Sequence, residues 1–247
     1  SEVHDEVCKM ALALSGLGIL NGDRVIIVSE NRPEWQIADL AIMAVGAITV
    51  PAYITNTTSD HEYIIKHSGA RALIVSNHAL TEKVLPALVN SPQCKKIIKI
   101  EDDNQDYSSP VAIFSWSKLL QEKQGQSFNL KSAALKHQRD DTACIIYTSG
   151  TGGNPKGVML SHRAMLANCK GADMLIKEIT LPLKEIRFLS WLPLSHSYEH
   201  TLQFYFIGLG SQIYYAEGID KLVVNMGEAQ PHLMTAVPRF YDSLHTR

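Results

Sequence analysis

The sequence predicts an α/β fold, with mostly parallel sheets flanked by helices. Short β-branched runs recur along the chain, and segments with apolar residues at three- and four-residue steps lie between them. Strand and helix alternate throughout, and no internal repeat interrupts the alternation.

The first element is helical: Val3, Val7, Met10, Leu14 and Leu17 form one stripe, closed by Gly16, Gly18 and Asn21-Gly22. Arg24–Val28 reads as a strand buried on both faces. Pro33 opens a second helix, with Asn31 as its cap and Trp35, Ala38, Ile42 and Val45 as its apolar stripe. The uncharged stretch from Leu40 to Ile54 contains Pro51 and reads as a buried helix followed by a turn, too short to span a membrane. Ala70–Val75 is a strand, Thr81–Val89 a helix and Lys96–Ile100 another strand. Residues 101–141 are polar and irregular, with one short helix near Trp116–Gln121. Strands Ala143–Tyr147 and Gly157–Leu160 enclose a glycine-rich loop, and a helix capped by Ser161 follows, ending near Ile176. Phe188–Leu192, Gln212–Tyr215 and Leu233–Val237 are strands with helices between them, and Pro238–Tyr241 starts a further helix. Both ends lie in or beside helices, the pattern of a piece cut from something longer.

Composition narrows the function classes. A chain of 247 residues, 45% apolar and 19% charged, buries enough surface to fold without disulfide or metal staples. Lys and Arg number 23 against 25 Asp and Glu, a net charge of −2, so there is no electrostatic footprint for nucleic acid. The cysteines Cys8, Cys94, Cys144 and Cys169 show no CxxC or ligand-like spacing, which fits a reducing, cytoplasmic compartment. Asn56-Thr57-Thr58 is a formal glycosylation triplet with no secretory signal beside it.

The segment that carries chemistry is Tyr147-Thr148-Ser149-Gly150-Thr151-Gly152-Gly153-Asn154-Pro155-Lys156-Gly157. Residues 150–157 hold four glycines, which let consecutive backbone N–H groups turn toward one point and form an anion-binding hollow. Thr148, Ser149 and Thr151 add hydroxyl donors, and Lys156 adds a positive charge suited to a polyphosphate. The loop is not a Walker A motif, because Pro155 precedes Lys156 and Gly157 follows it, and no GxGxxG opens a helix here. The alternative is a hairpin whose glycines serve only the turn.

This segment resembles the signature phosphate loop of the adenylate-forming (AMP-binding) superfamily, matching at Tyr147, Thr148, Ser149, Gly150, Thr151, Gly153, Pro155, Lys156 and Gly157. Gly152 departs from the family's usual Thr or Ser, so no side-chain role is carried over to it. Trp191-Leu192-Pro193-Leu194-Ser195-His196-Ser197-Tyr198-Glu199 is similar to a block of bacterial long-chain fatty acyl-CoA synthetases. Further similarity lies at Gly22–Val25, Ser29–Trp35, Gly208–Glu217 and Thr235–Tyr241, so the resemblance covers nearly the whole chain.

The resemblance implies part of the large N-terminal domain, truncated, as two packed α/β lobes. The first lobe covers mainly 32–180, including the loop at 147–157; the second covers mainly 186–247, with strand 24–28 joining it. It implies a ligase that activates a long-chain fatty acid with ATP to acyl-adenylate, then passes the acyl group to CoA. Thr148, Ser149, Gly150, Thr151, Gly152, Gly153 and Lys156 would surround the β- and γ-phosphates, and Thr151 would contact Mg²⁺. His196 is the candidate catalytic residue, near the acyl carboxylate and adenylate phosphate, with a packed helix-start histidine as its plainer reading. Trp191, Tyr198 and Glu199 are candidate substrate-binding residues; core packing for the aromatics and helix-dipole service for the glutamate are the alternatives.

The family's aromatic-Gly-x-Thr-Glu block, ribose-binding aspartate, hinge and C-terminal catalytic lysine have no counterpart in this chain, so the isolated polypeptide is expected to be catalytically incomplete. Partners of the intact enzyme would be fatty acid, ATP and CoA, in the cytoplasm or peripherally on a membrane, and a shortened domain is expected to self-associate. Two other readings remain. His196-Ser197-Tyr198-Glu199-His200 spells HxxEH, the inverted motif of zinc metallohydrolases. A non-catalytic nucleotide-binding remnant would carry the same loop and catalyse nothing.

Overall fold

A computed structural model of the chain describes residues 2–103, 105, 107, 109, 111–148, 154–238 and 240. It divides into two units, Ser1–Arg163 and Ala164–Arg247.

In the first unit, β1 (Arg24–Val28) is central to a seven-stranded sheet. With β2 (Ile48–Ala52), β3 (Ala72–Val75), β4 (Lys96–Lys99), β5 (Ala112–Ser115), β6 (Thr142–Thr148) and β7 (Lys156–Ser161), the order is β5-β4-β3-β1-β2-β6-β7. Every neighbouring pair is parallel except β6 and β7, which form an antiparallel hairpin at one edge. Strand 24–28 therefore belongs to this sheet, between β2 and β3, and not to the second lobe. Its β-branched residues are buried because both of its edges and both of its faces are covered. The unit boundary likewise falls at Arg163, earlier than the expected 180.

Helices α1 (Glu2–Gly16) and α2 (Pro33–Ala44) pack against each other, and α1 also packs on α5 (Trp116–Glu122). Helices α3 (Thr58–Ser68) and α4 (His78–Leu88) join alternate strand residues, Ile26, Val28, Val50, Leu73, Val75 and Ile97, in one core. A short helix, α6 (Leu130–Ala134), precedes β6.

Several elements differ from the sequence reading. The stretch read as a turn after Leu40 contains β2: Pro51 donates nothing to a ladder, yet the strand pairs along all five residues with β1 and at the single position Thr49 with β6. Helix α3, not foreseen, has only three buried residues, so its apolar stripe is faint. Its ends are well marked instead: Thr57 and Asp60 form a capping box, and Gly69 closes the helix at φ 64°. The cap of α2 is Arg32 and not Asn31, because Pro33 holds the first helical position and pushes its predecessor into extended backbone.

The second unit starts in α7 (His162–Thr180), whose first two residues belong to the first. It holds β8 (Arg187–Ser190), α8 (Ser197–Gly208), β9 (Gln212–Tyr215), α9 (Leu222–Ala229) and β10 (Leu233–Met234). The parallel sheet has the order β10-β8-β9, and its core is Phe188, Tyr205 and Phe206, with Phe188 and Phe206 stacked at 4.0 Å. β8 and β10 are shorter than expected. All four cysteines are free. Among the described residues no helix is long and apolar enough to cross a membrane.

Candidate functional site

The antiparallel β6–β7 pair sets Tyr147 opposite Gly157 and Thr148 opposite Lys156. Opposed residues share a face of the sheet, so the exposed Thr148 hydroxyl and Lys156 ammonium leave the hairpin on the same side. The turn begins at the carboxyl end of β6, the end of a parallel sheet where open α/β folds place ligands. Of the expected phosphate-loop residues, Ser149, Gly150, Thr151, Gly152 and Gly153 lie outside the described residues.

Gly157 is required by packing. A Cβ there would lie 2.8 Å from Ile145 Cγ2 and 3.3 Å from the Tyr147 ring, closer than side chains tolerate. Tyr147 is buried and shares a 2.8 Å hydrogen bond with His67 Nδ1. Burial, followed by neighbouring Tyr63, pushes its phenol up to about 12, so it stays protonated at every physiological pH. Tyr63, one helical turn before His67 on α3, donates from its hydroxyl to the Pro155 carbonyl at 3.0 Å. The sequence reading missed Tyr63 and His67, although Thr57-x-x-Asp60 and Gly69 bracket the helix that carries them.

In the second unit, His196 is the N-cap of α8, exposed, its backbone extended at φ −96° and ψ 136°. Its Nδ1 accepts from the Tyr198 N–H at 3.3 Å, an arrangement that leaves the ring proton on Nε2. Tyr198 is 48% exposed. Trp191 is half-buried, donates its indole N–H to the Thr235 carbonyl, and has its ring 5.1 Å from that of Phe240.

Glu199 is fully buried. One carboxyl oxygen accepts from Ser190 Oγ at the end of β8, the other from Thr235 Oγ1 just past β10, each at 2.6 Å. Desolvation raises the acid to about 7, opposed by the two hydroxyls and the Trp191 backbone. Its two oxygens thus tie α8 to the sheet beneath it.

The HxxEH trio does not form a metal centre. His196 caps the helix through Nδ1, and both Glu199 oxygens are engaged by hydroxyls. Among the described residues no group of three or more His, Cys, Asp and Glu could hold a metal ion.

Comparison with known proteins agrees with the fold. The chain is 29% identical to long chain acyl-CoA synthetase 4 of Arabidopsis thaliana across 99% of its own length and 37% of that protein's. It is also 29% identical to the long-chain-fatty-acid–CoA ligase FadD15 of Mycobacterium tuberculosis, across 99% of its own length and 39% of the relative's. The chain thus spans well under half the length of these curated relatives. The inhibitor-bound N-terminal domain of FACL13 from M. tuberculosis superposes with a TM-score of 0.78 at 21% identity, covering 100% of this chain and 57% of that one. O-succinylbenzoate CoA synthetase from Bacillus subtilis, solved with an acyl-adenylate, gives 0.76 at 18% identity, with the same coverage of 100% and 57%. At these identities the superpositions show the fold. A family model described as AMP-binding enzyme matches residues 1–246, and the chain belongs to that family.

Proposed function

We propose that the complete protein is a long-chain fatty acid–CoA ligase, and that this chain supplies its phosphate-binding hairpin and the helix start bearing His196. The observation that carries the reading is the pair of exposed groups, Thr148 and Lys156, opposed on one face of a hairpin whose opposite face is packed. The family match and the long-chain relatives support the substrate class.

In the first step a carboxylate oxygen of the fatty acid bonds to the α-phosphorus of ATP. The α–β phosphoanhydride bond breaks, and pyrophosphate leaves with the electron pair. In the second the CoA thiol, giving up its proton, attacks the acyl carbon and AMP departs. Lys156 and the hydroxyls of Thr148, Ser149 and Thr151 hold the β- and γ-phosphates as charge gathers on them, with the amides of Gly150, Gly152 and Gly153 completing the hollow. The exposed Thr148 oxygen is a hard donor that fits a Mg²⁺ shared with phosphate, and Thr151 is the residue proposed to hold it. The ion, when bound, neutralises phosphate charge.

His196, with its proton on the exposed Nε2, donates to an oxygen of the carboxylate or adenylate. Tyr198 offers an exposed aromatic wall to the acyl chain. Trp191 and Glu199, whose polar atoms bond to Thr235 and Ser190, support this wall from behind. Met174 and Leu175, 84% and 82% exposed on α7, are the surface through which self-association would occur. A monomer in light scattering at every concentration removes that part of the reading.

Titration of the chain with MgATP and with inorganic pyrophosphate tests the site. Binding of both, weakened in Lys156→Ala, is expected; equal affinity in that variant removes Lys156 from the site.

A further inference from the structure

Helix α3 touches the hairpin at both ends of its loop. At the start, His67 Nδ1 and the buried Tyr147 hydroxyl share their 2.8 Å hydrogen bond, next to Thr148. At the finish, the Tyr63 hydroxyl donates to the carbonyl of Pro155, the residue before Lys156. The three rings pack as one group: Tyr63 stacks on His67 at 5.2 Å, and Tyr147 meets both edge-on, at 6.3 and 5.7 Å. Residues 63 and 67 lie one helical turn apart, so a single helix face spans the width of the loop.

The helix is itself firmly held. Thr57 and Asp60 cap its start, and Thr58 Oγ1 donates to the Lys83 carbonyl of α4 at 3.1 Å. At its end, Arg24 of β1 donates from Nε to the Ser68 carbonyl at 2.6 Å and from Nη2 to the Gly69 carbonyl at 2.8 Å. A rigid body joined to the central strand thus grips both stems of the loop. These stems carry Thr148 and Lys156, whose separation sets what the loop can enclose.

We propose that α3 is a clamp that fixes the span of the phosphate loop, with Tyr63 and His67 as positioning residues for Thr148 and Lys156; the phosphate part rests on the function proposed above. Neither residue is placed in contact with substrate. Their effect passes through Pro155 and Tyr147.

The test uses Tyr63→Phe, which removes one hydroxyl and keeps the ring, and His67→Leu at the other end. Amide hydrogen exchange of residues 147–157 and affinity for inorganic pyrophosphate are read in each. Loop exchange is expected to speed up, and pyrophosphate to bind about five-fold more weakly, as for one neutral hydrogen bond, with unfolding midpoints near that of the parent chain. Tyr107→Phe, which removes a hydroxyl bonded to Asp103 and Lys99 instead, should change neither. Unchanged exchange and affinity in both clamp variants, with the parent chain binding pyrophosphate, overturn the clamp and leave the phosphate site standing. Faster exchange in a chain that binds neither pyrophosphate nor MgATP supports the clamp and removes the phosphate site.

Discussion

The β6–β7 hairpin of the first unit and the His196 helix start of the second both project exposed polar groups from a packed root, but the roots are chemically unlike. Beneath the hairpin lie a side-chain-free Gly157 and the hydrogen bonds made by the Tyr63 and Tyr147 hydroxyls. Beneath the helix start lies a buried carboxyl, Glu199, gripped by Ser190 and Thr235. The Tyr147 phenol keeps its proton throughout the physiological range, whereas the Glu199 carboxyl sits at about 7. Rigidity under the histidine therefore depends on the protonation of a buried carboxyl, which the hairpin root lacks.

Removing the carboxyl should have the largest effect. Glu199→Ala removes the carboxyl that accepts from two buried hydroxyls and opens a cavity, at a cost of about 3 kcal/mol, while Glu199→Gln costs about 1 kcal/mol. Chemical denaturation with exchange read at residues 188–206 checks both, and equal losses in the two variants would mean that the carboxyl's own hydrogen bonding, not the volume it fills, holds this root.

The pH dependence follows from the same group. Raised from 4.5 to about 7, Glu199 binds more protons folded than unfolded within that window. Its contribution is full below about pH 4.5, falls as pH rises toward 7, and is flat above. The loss is on the order of 3 kcal/mol at about 1.4 kcal/mol per pKa unit. It should vanish in Glu199→Gln; a persistent slope in that variant assigns the titration elsewhere.

The hairpin root should respond to bulk instead. Gly157→Val drives a side chain toward Ile145 and Tyr147 and should cost about 2 kcal/mol, read as a lowered unfolding midpoint at any pH. An unaltered midpoint means the hairpin yields freely. Lys156→Ala should leave stability unchanged and weaken pyrophosphate about ten-fold, as expected for loss of one charge-assisted contact.

The two regions also differed in how far they could be read from sequence. The parallel strands were legible because Val25–Val28 and Leu73–Val75 are apolar on both faces. β5 was missed because Ala112–Ser115 is a half-exposed edge strand, and β2 because Pro51 argues for a turn. His196 at a helix start was legible from Pro193 and the polar run after it. The burial of Glu199 was not: its partner Thr235 lies far along the chain, and a glutamate in a first helical turn reads as a solvated dipole partner. Tyr63 and His67 were hidden for a related reason. Their helix has few buried residues, and their partners Pro155 and Tyr147 are brought near only by the order β1-β2-β6-β7.

Whether the hairpin holds the tail of a nucleoside triphosphate is best tested by amide exchange of residues 147–157 in the chain with and without MgATP. Slowed exchange confined to this segment, reproduced by inorganic pyrophosphate and lost in Lys156→Ala, is the expected result. Binding of MgATP with exchange unchanged there and slowed elsewhere would contradict it.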